Sequence, residues 1–137
     1  KKSDGDGKLR NDFSGGWPDD KRNAFTHEGR TKKENEAWNY LQTLLKWRKQ
    51  SEVIQSGRLK QFVPEDNIYV YFRYTSSKSI MVILNANKKG KILNTNRFKE
   101  VLEGYKRGFD ITSNQYLDSL SDIKLAPYSA AIIELIP

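Results

Sequence analysis

Between Thr31 and Gln50 the chain spells out one amphipathic helix, and its apolar face is wider than a small domain needs. Thr31-Lys32-Lys33-Glu34 fits a capping box, in which the threonine hydroxyl accepts from the Glu34 backbone N–H and the Glu34 carboxylate reaches back to the first turn. The spacing predicts a helix over 32–50. At about 100° per residue, Ala37, Trp38, Tyr40, Leu41, Leu44, Leu45 and Trp47 cover roughly half of the cylinder. Arg48 projects into the middle of that half, where an unpaired charge is costly, so it is expected to find a carboxylate or carbonyl partner. Such a helix is expected to be wedged between two bodies.

Residues 1–30 are punctuated by Gly5, Gly7, Gly15, Gly16, Pro18 and Gly29 and lack apolar periodicity, which predicts one long loop. A loop of that length implies a function, disorder or a missing neighbour, and Phe13, Trp17 and Phe25 need something to pack against. Beyond Ser51 the period changes to alternation, which places the domain boundary there: 1–50 and 51–137. A strand is predicted at 58–63, ending in the turn cluster Pro64-Glu65-Asp66-Asn67. Ile68, Val70, Phe72 and Tyr74 then alternate with Tyr69, Tyr71 and Arg73, one face to the core. Ile80-Met81-Val82-Ile83-Leu84 has no polar interruption and reads as a central strand covered on both faces.

Asn85 to Gly90 reads as a hairpin connection to a short strand at 91–94. A short helix is predicted over 97–102 with Thr95 or Asn96 as cap, and strands at 109–112, 123–125 and 130–135. Many short strands separated by turns predict an antiparallel β-sandwich.

Sixteen aromatics, seven Tyr, six Phe and three Trp, give such a sandwich its core. The absence of cysteine excludes disulfides, thiolate metal sites and a cysteine nucleophile. The net charge of +7 is dispersed, with 12 basic against 8 acidic groups in residues 1–50 and 12 against 9 thereafter, so no nucleic-acid partner is expected. No apolar run reaches the roughly 18 residues of a membrane span, and Lys1-Lys2-Ser3-Asp4 reads as a cut end. Asp4-Gly5-Asp6-Gly7 has Lys8 where an EF-hand loop needs a ligand, and reads as a glycine-rich loop without metal. Asp19-Asp20 reads as a solvated turn, and the single histidine, His27, as a surface loop residue, leaving no candidate catalytic residue and no cofactor motif. Tyr69 to Tyr74 presents aromatic faces that suit sugars or bases, so a carbohydrate-binding module using Tyr69, Tyr71 and Trp17 is the alternative reading.

The stretch Leu9-Arg10-Asn11-Asp12-Phe13-Ser14-Gly15-Gly16-Trp17-Pro18, continued by Asp20-Lys21-Arg22-Asn23-Ala24-Phe25-Thr26, resembles the α-amylase family of glycoside hydrolases, in particular its neopullulanase and cyclomaltodextrinase-like branch. There it is the loop after the eighth strand of the catalytic (β/α)8 barrel. Glu34 to Lys49 resembles the last barrel helix, and Gly57 to Pro64, Tyr69 to Tyr74 and Met81 to Asn85 resemble the start of the C-terminal domain. Ser14 departs from the proline usual in that branch.

The resemblance implies that 1–50 is the end of a barrel, with loop 1–31 and helix 32–50, and that 51–137 is a C-terminal sandwich. It implies a parent enzyme that hydrolyses α-glucans or maltooligosaccharides with retention, by paired carboxylates carried on earlier barrel strands. This chain has none of those residues and is expected to be silent alone. Arg10, Asp12 and Trp17 are the expected substrate contacts: a guanidinium and a carboxylate for sugar hydroxyls and an indole for stacking. The sandwich is expected to brace the barrel, the isolated chain to self-associate through its bared helix face, and the parent to work in the periplasm or outside the cell.

Overall fold

A computed structural model of the chain describes Gly5, Arg10 and residues 13–137. These fall into two compact units, 1–43 and 44–137.

Helix α1 runs over Lys32–Gln50, as its capping box predicts. The Glu34 backbone N–H donates to Thr31 Oγ1 at 3.3 Å, and Glu34 Oε2 accepts from the Thr31 N–H at 2.8 Å. No residue of α1 is buried. Arg48 stands exposed and its guanidinium makes no ion pair or hydrogen bond among the described residues, which corrects the partner expected for it. With that face open to water, the guanidinium stays hydrated and needs no protein counter-charge.

A second helix, α2 (Glu52–Ser56), follows at once and was not expected. Its five residues are too few to display a period, and Val53, which is buried, holds it to the sheet.

Eight strands follow: β1 (Arg58–Gln61), β2 (Ile68–Tyr74), β3 (Ser79–Asn85), β4 (Lys91–Asn94), β5 (Arg107–Asp110), β6 (Gln115–Leu117), β7 (Asp122–Leu125) and β8 (Ser129–Ile136). The larger sheet has the order β1-β2-β3-β8-β5-β6, and the smaller pairs β4 with β7; every pairing is antiparallel. The chain is thus mainly β, an antiparallel β-sandwich. Between β1 and β2, Asp66 and Asn67 take left-handed backbone (φ 51° and 55°), and Glu65 and Ile68 exchange backbone hydrogen bonds of 3.1 and 2.8 Å across them. Short polar side chains tolerate that conformation, which suits a tight hairpin turn.

Ile68, Val70 and Phe72 of β2, Met81 and Ile83 of β3 and Ile133 and Leu135 of β8 meet Phe98, Leu120, Ile123 and Leu125 in the main core. Phe98 lies between Phe62 (centroids 4.8 Å) and Phe72 (6.0 Å). The opposite face of β3 offers Ile80 and Val82, which are closed off by Val53 with Trp47, Ile54, Tyr71 and Ile132. Both faces of β3 are therefore covered, except at the exposed Leu84.

Three expectations for the connections need correction. Asn85 to Gly90 is not a hairpin, because β4 pairs with β7 in the other sheet. The buried Asn85 directs this crossing: its Nδ2 donates to the Ala126 carbonyl at 2.7 Å, and its Oδ1 accepts from the Asn87 backbone N–H at 3.1 Å. Asn96–Phe98 is a 3-10 turn, followed by α3 (Lys99–Leu102). Thr95 does not cap it with its side chain. Its buried hydroxyl donates instead to the Leu120 carbonyl at 2.7 Å, and Asn94 Oδ1 accepts from the Asn96 N–H at 3.1 Å. The strand expected at 109–112 starts and ends two residues earlier, since Asp110 Oδ1 takes the Thr112 N–H at 2.9 Å and turns the chain; β6, three residues long, was not foreseen.

Candidate functional site

The long loop is the place where the sequence puts the candidate contacts, and residues 13–31 contain no helix or strand. Its order comes from polar side chains that close successive turns. Asp20 Oδ2 accepts from the backbone N–H groups of Gly15 (2.6 Å) and Trp17 (3.1 Å), which hold its carboxyl below the usual carboxylate range. Asp20 is thus an acceptor that shapes a turn, not half of an acid/base pair.

Asn23 is the hub of the next turn: Oδ1 accepts from the Phe25 N–H at 2.9 Å, and its carbonyl accepts from the Thr26 hydroxyl at 3.1 Å. Gly15 (φ 105°) and Gly29 both lie so close to Asn23 that a Cβ at either would collide with it. Arg30 then ties the loop to α1. Its Nη1 donates to the carbonyls of Ala24 (3.1 Å) and Phe25 (3.2 Å), its Nε donates to Asn35 Oδ1 (2.8 Å), and its guanidinium sits 4.1 Å above the Trp38 ring. Ala24 is buried beneath these bonds, and Phe13 meets Phe25 edge to face at 4.9 Å.

Arg22 grips Glu34 in a two-point fork, Nη1 to Oε2 at 2.6 Å and Nη2 to Oε1 at 2.9 Å. That side-chain bond, with the Thr31 backbone N–H next in weight, lowers the Glu34 pKa to about 2. A carboxylate whose pKa is depressed on folding stabilises fully above its unfolded value near 4.5 and loses that contribution as pH falls through about 2. The amides of Glu34 and Asn35 are therefore expected to gain hydrogen-exchange protection between pH 2 and 4.5 in the wild type and to show no such rise in Glu34→Gln.

Of the expected sugar contacts, Arg10 is exposed, Trp17 is 67% exposed, and Asp12 lies outside the described residues. Trp17 therefore offers an open indole face, on a turn fixed by Asp20. His27 is exposed on the loop surface, as expected. Asp4 and Asp6 lie outside the described residues. Among the described residues no group of three or more His, Cys, Asp or Glu is placed to hold a metal ion, and no helix is long and apolar enough to cross a membrane.

The tyrosine face of β2 is only half open. Tyr69 and Tyr71 lie 5.5 Å apart with rings tilted by 37°, but the Tyr69 hydroxyl donates to Gln61 Oε1 at 2.7 Å, and Tyr71 packs against Val53, Ile80 and Val82. On α1, Trp38 (41% exposed), Leu41 (56%) and Leu45 (52%) are each exposed, while Trp47 donates from Nε1 to Glu134 Oε1 of β8 at 2.6 Å.

Residues 59–134 match the model of the cyclo-malto-dextrinase C-terminal domain family, which is more than half of the chain. The chain belongs to that family. The cyclomaltodextrinase C-terminal domain accounts for all of β2–β7 and most of β1 and β8. Its sandwich is also found in solved α-amylase structures. An Anoxybacillus α-amylase superposes with a TM-score of 0.62 at 20% identity, over 74% of this chain and 23% of that one. The α-amylase of Geobacillus thermoleovorans, solved with acarbose, gives 0.64 at 14% identity, over 74% and 23%. AmyP, solved with maltose, gives 0.66 at 12% identity, over 76% and 21%. This chain thus spans under a quarter of the length of these enzymes, and the likeness is one of fold.

Proposed function

We propose that the chain is the non-catalytic C-terminal part of an α-glucan-hydrolysing enzyme, in which 51–137 braces a catalytic barrel through the helix at 32–50. The observation that carries this reading is the bare face of α1: three large apolar side chains stand in water on a helix with no buried residue. A patch of this kind marks an interaction surface, and family membership supports a barrel as its partner. On this reading 1–31 is a barrel loop, and Arg10, Asp12 and Trp17 border the groove that holds α-glucan or maltooligosaccharide. The maltose and acarbose carried by the solved relatives support that substrate class. Polymeric substrates of this class support work in the periplasm or outside the cell.

Sedimentation and denaturation of Leu41→Asp/Leu45→Asp test the reading. The isolated wild-type chain is expected to self-associate through this face, and the double variant to stay monomeric with stability changed by no more than about 0.5 kcal/mol, as for surface substitutions. Marked destabilisation of the variant would show that the face is covered by its own chain and would overturn the proposal. The purified chain is also expected to release no reducing sugar from starch, pullulan or cyclodextrin.

A further inference from the structure

Glu134 is an acid set among apolar side chains. On β8 it follows Ile132 on the face covered by Val53 and Trp47, and its register neighbours are the buried Ile80 of β3 and the half-buried Phe109 of β5. Among the described residues no cation pairs with its carboxylate, and the one donor that reaches it is the Trp47 indole, Nε1 to Oε1 at 2.6 Å. Leu44 and Trp47, three residues apart on one side of the helix, are the half-buried positions in the last two turns of α1.

The apolar contacts of Trp47, Val53 and Ile54 with Ile80, Val82 and Ile132 hold the helix end against the sheet, but burial is non-directional and leaves a helix free to turn or slide a little. A hydrogen bond is directional. Exchanging a buried polar pair for apolar side chains is often neutral for stability, so what the carboxylate adds at this position is a single setting of the helix. The chain beyond the bond has no slack to undo it. Gln55 Nε2 donates to the Lys49 carbonyl at 2.7 Å and closes the end of α1, and Arg73 Nη2 donates from β2 to the Ile54 carbonyl at 3.1 Å. Gly57, which joins α2 to β1, lies so close to the Val53 carbonyl that a Cβ would collide with it.

We propose that Glu134 is a positioning residue: its bond to Trp47 fixes the rotation of the last turns of α1 on the larger sheet, so that one carboxylate decides how the sandwich presents the helix it carries. That the helix is presented to a catalytic barrel rests on the proposed function; the fixed setting of residues 44–50 rests on the bond and its apolar surroundings.

The test compares Glu134→Leu, Trp47→Phe and Glu134→Gln in the isotopically labelled full chain. Glu134→Leu removes the acceptor and Trp47→Phe the donor, each leaving an apolar side chain in place, while Glu134→Gln keeps an acceptor oxygen. Residual dipolar couplings report the orientation of the 44–50 amides relative to β2, β3 and β8, and hydrogen exchange reports their protection. Glu134→Leu and Trp47→Phe are expected to average the couplings of 44–50 and to speed exchange there about tenfold, the effect of one hydrogen bond, with β2 and β3 unchanged. Glu134→Gln is expected to restore both. Unaltered couplings in Glu134→Leu and Trp47→Phe, a loss of protection shared equally by β2 and β3, or no rescue by Glu134→Gln would each overturn the proposal. Every readout lies within residues 44–137 and is independent of the Leu41→Asp/Leu45→Asp measurement, so a helix end that ignores Glu134 beside an intact helix-face result sinks this inference alone.

Discussion

Phe98→Ala is expected to lower the unfolding free energy by about 3–5 kcal/mol, the range for removing a large buried aromatic. Phe98 is 2% exposed, touches Phe62 and Phe72, and ends the 3-10 turn Asn96–Phe98. The surroundings collapse little, because Phe72, Met81, Ile83 and Ile133 on the facing strands are fixed by ladder bonds on both sides. Phe98→Leu keeps much of the volume and is expected to cost about 1 kcal/mol. Urea unfolding followed by tryptophan fluorescence measures both, with the midpoint moving and the slope unchanged. A cost below 1 kcal/mol for Phe98→Ala would mean that the space between the sheets is not filled as described.

Asn85→Ala is expected to cost about 3 kcal/mol although it removes few apolar contacts. The residue is almost wholly buried, and its amide serves the Ala126 carbonyl, the Asn87 N–H and the Asn87 side chain, at 2.7, 3.1 and 2.8 Å. Truncation orphans the Ala126 carbonyl and the Asn87 N–H, each at a cost of roughly 1–3 kcal/mol where water cannot replace the partner. Asn94 is the natural control. It also accepts from an N–H two residues on and donates to Asp122 at 3.0 Å, but water reaches it, so Asn94→Ala is expected to cost no more than about 1 kcal/mol. Chemical denaturation gives the difference, and faster hydrogen exchange at Asn87 in Asn85→Ala locates it.

The contrast between these asparagines shows which parts of the fold could be read from the chain. Helix α1 was legible because its signals are local: Thr31 and Glu34 are three residues apart and satisfy each other. β2 and β3 were legible because burial imposes a period or an unbroken apolar run on the strand itself. The crossing after β3 was not, because Asn85-Ala86-Asn87 has the composition of a hairpin turn and the partner that decides otherwise, Ala126, lies forty-one residues on. Thr95 fails for the same reason, since Leu120 outcompetes the helix start for its hydroxyl. For the candidate site, the resemblance pointed to Arg10, Asp12 and Trp17, on a stretch that has no apolar period to read.

The two outer strands of the larger sheet carry a consequence for how copies of this chain can meet. β1 has four residues and turns Lys60 inward beside Phe72, and β6 has three. Short margins bearing an inward cation make poor templates for strand addition. Encounters between molecules are thereby steered away from open-ended β stacking and toward the apolar side of α1, where a helix can only pair and stop, so concentrated solutions should yield small closed assemblies and not fibrils.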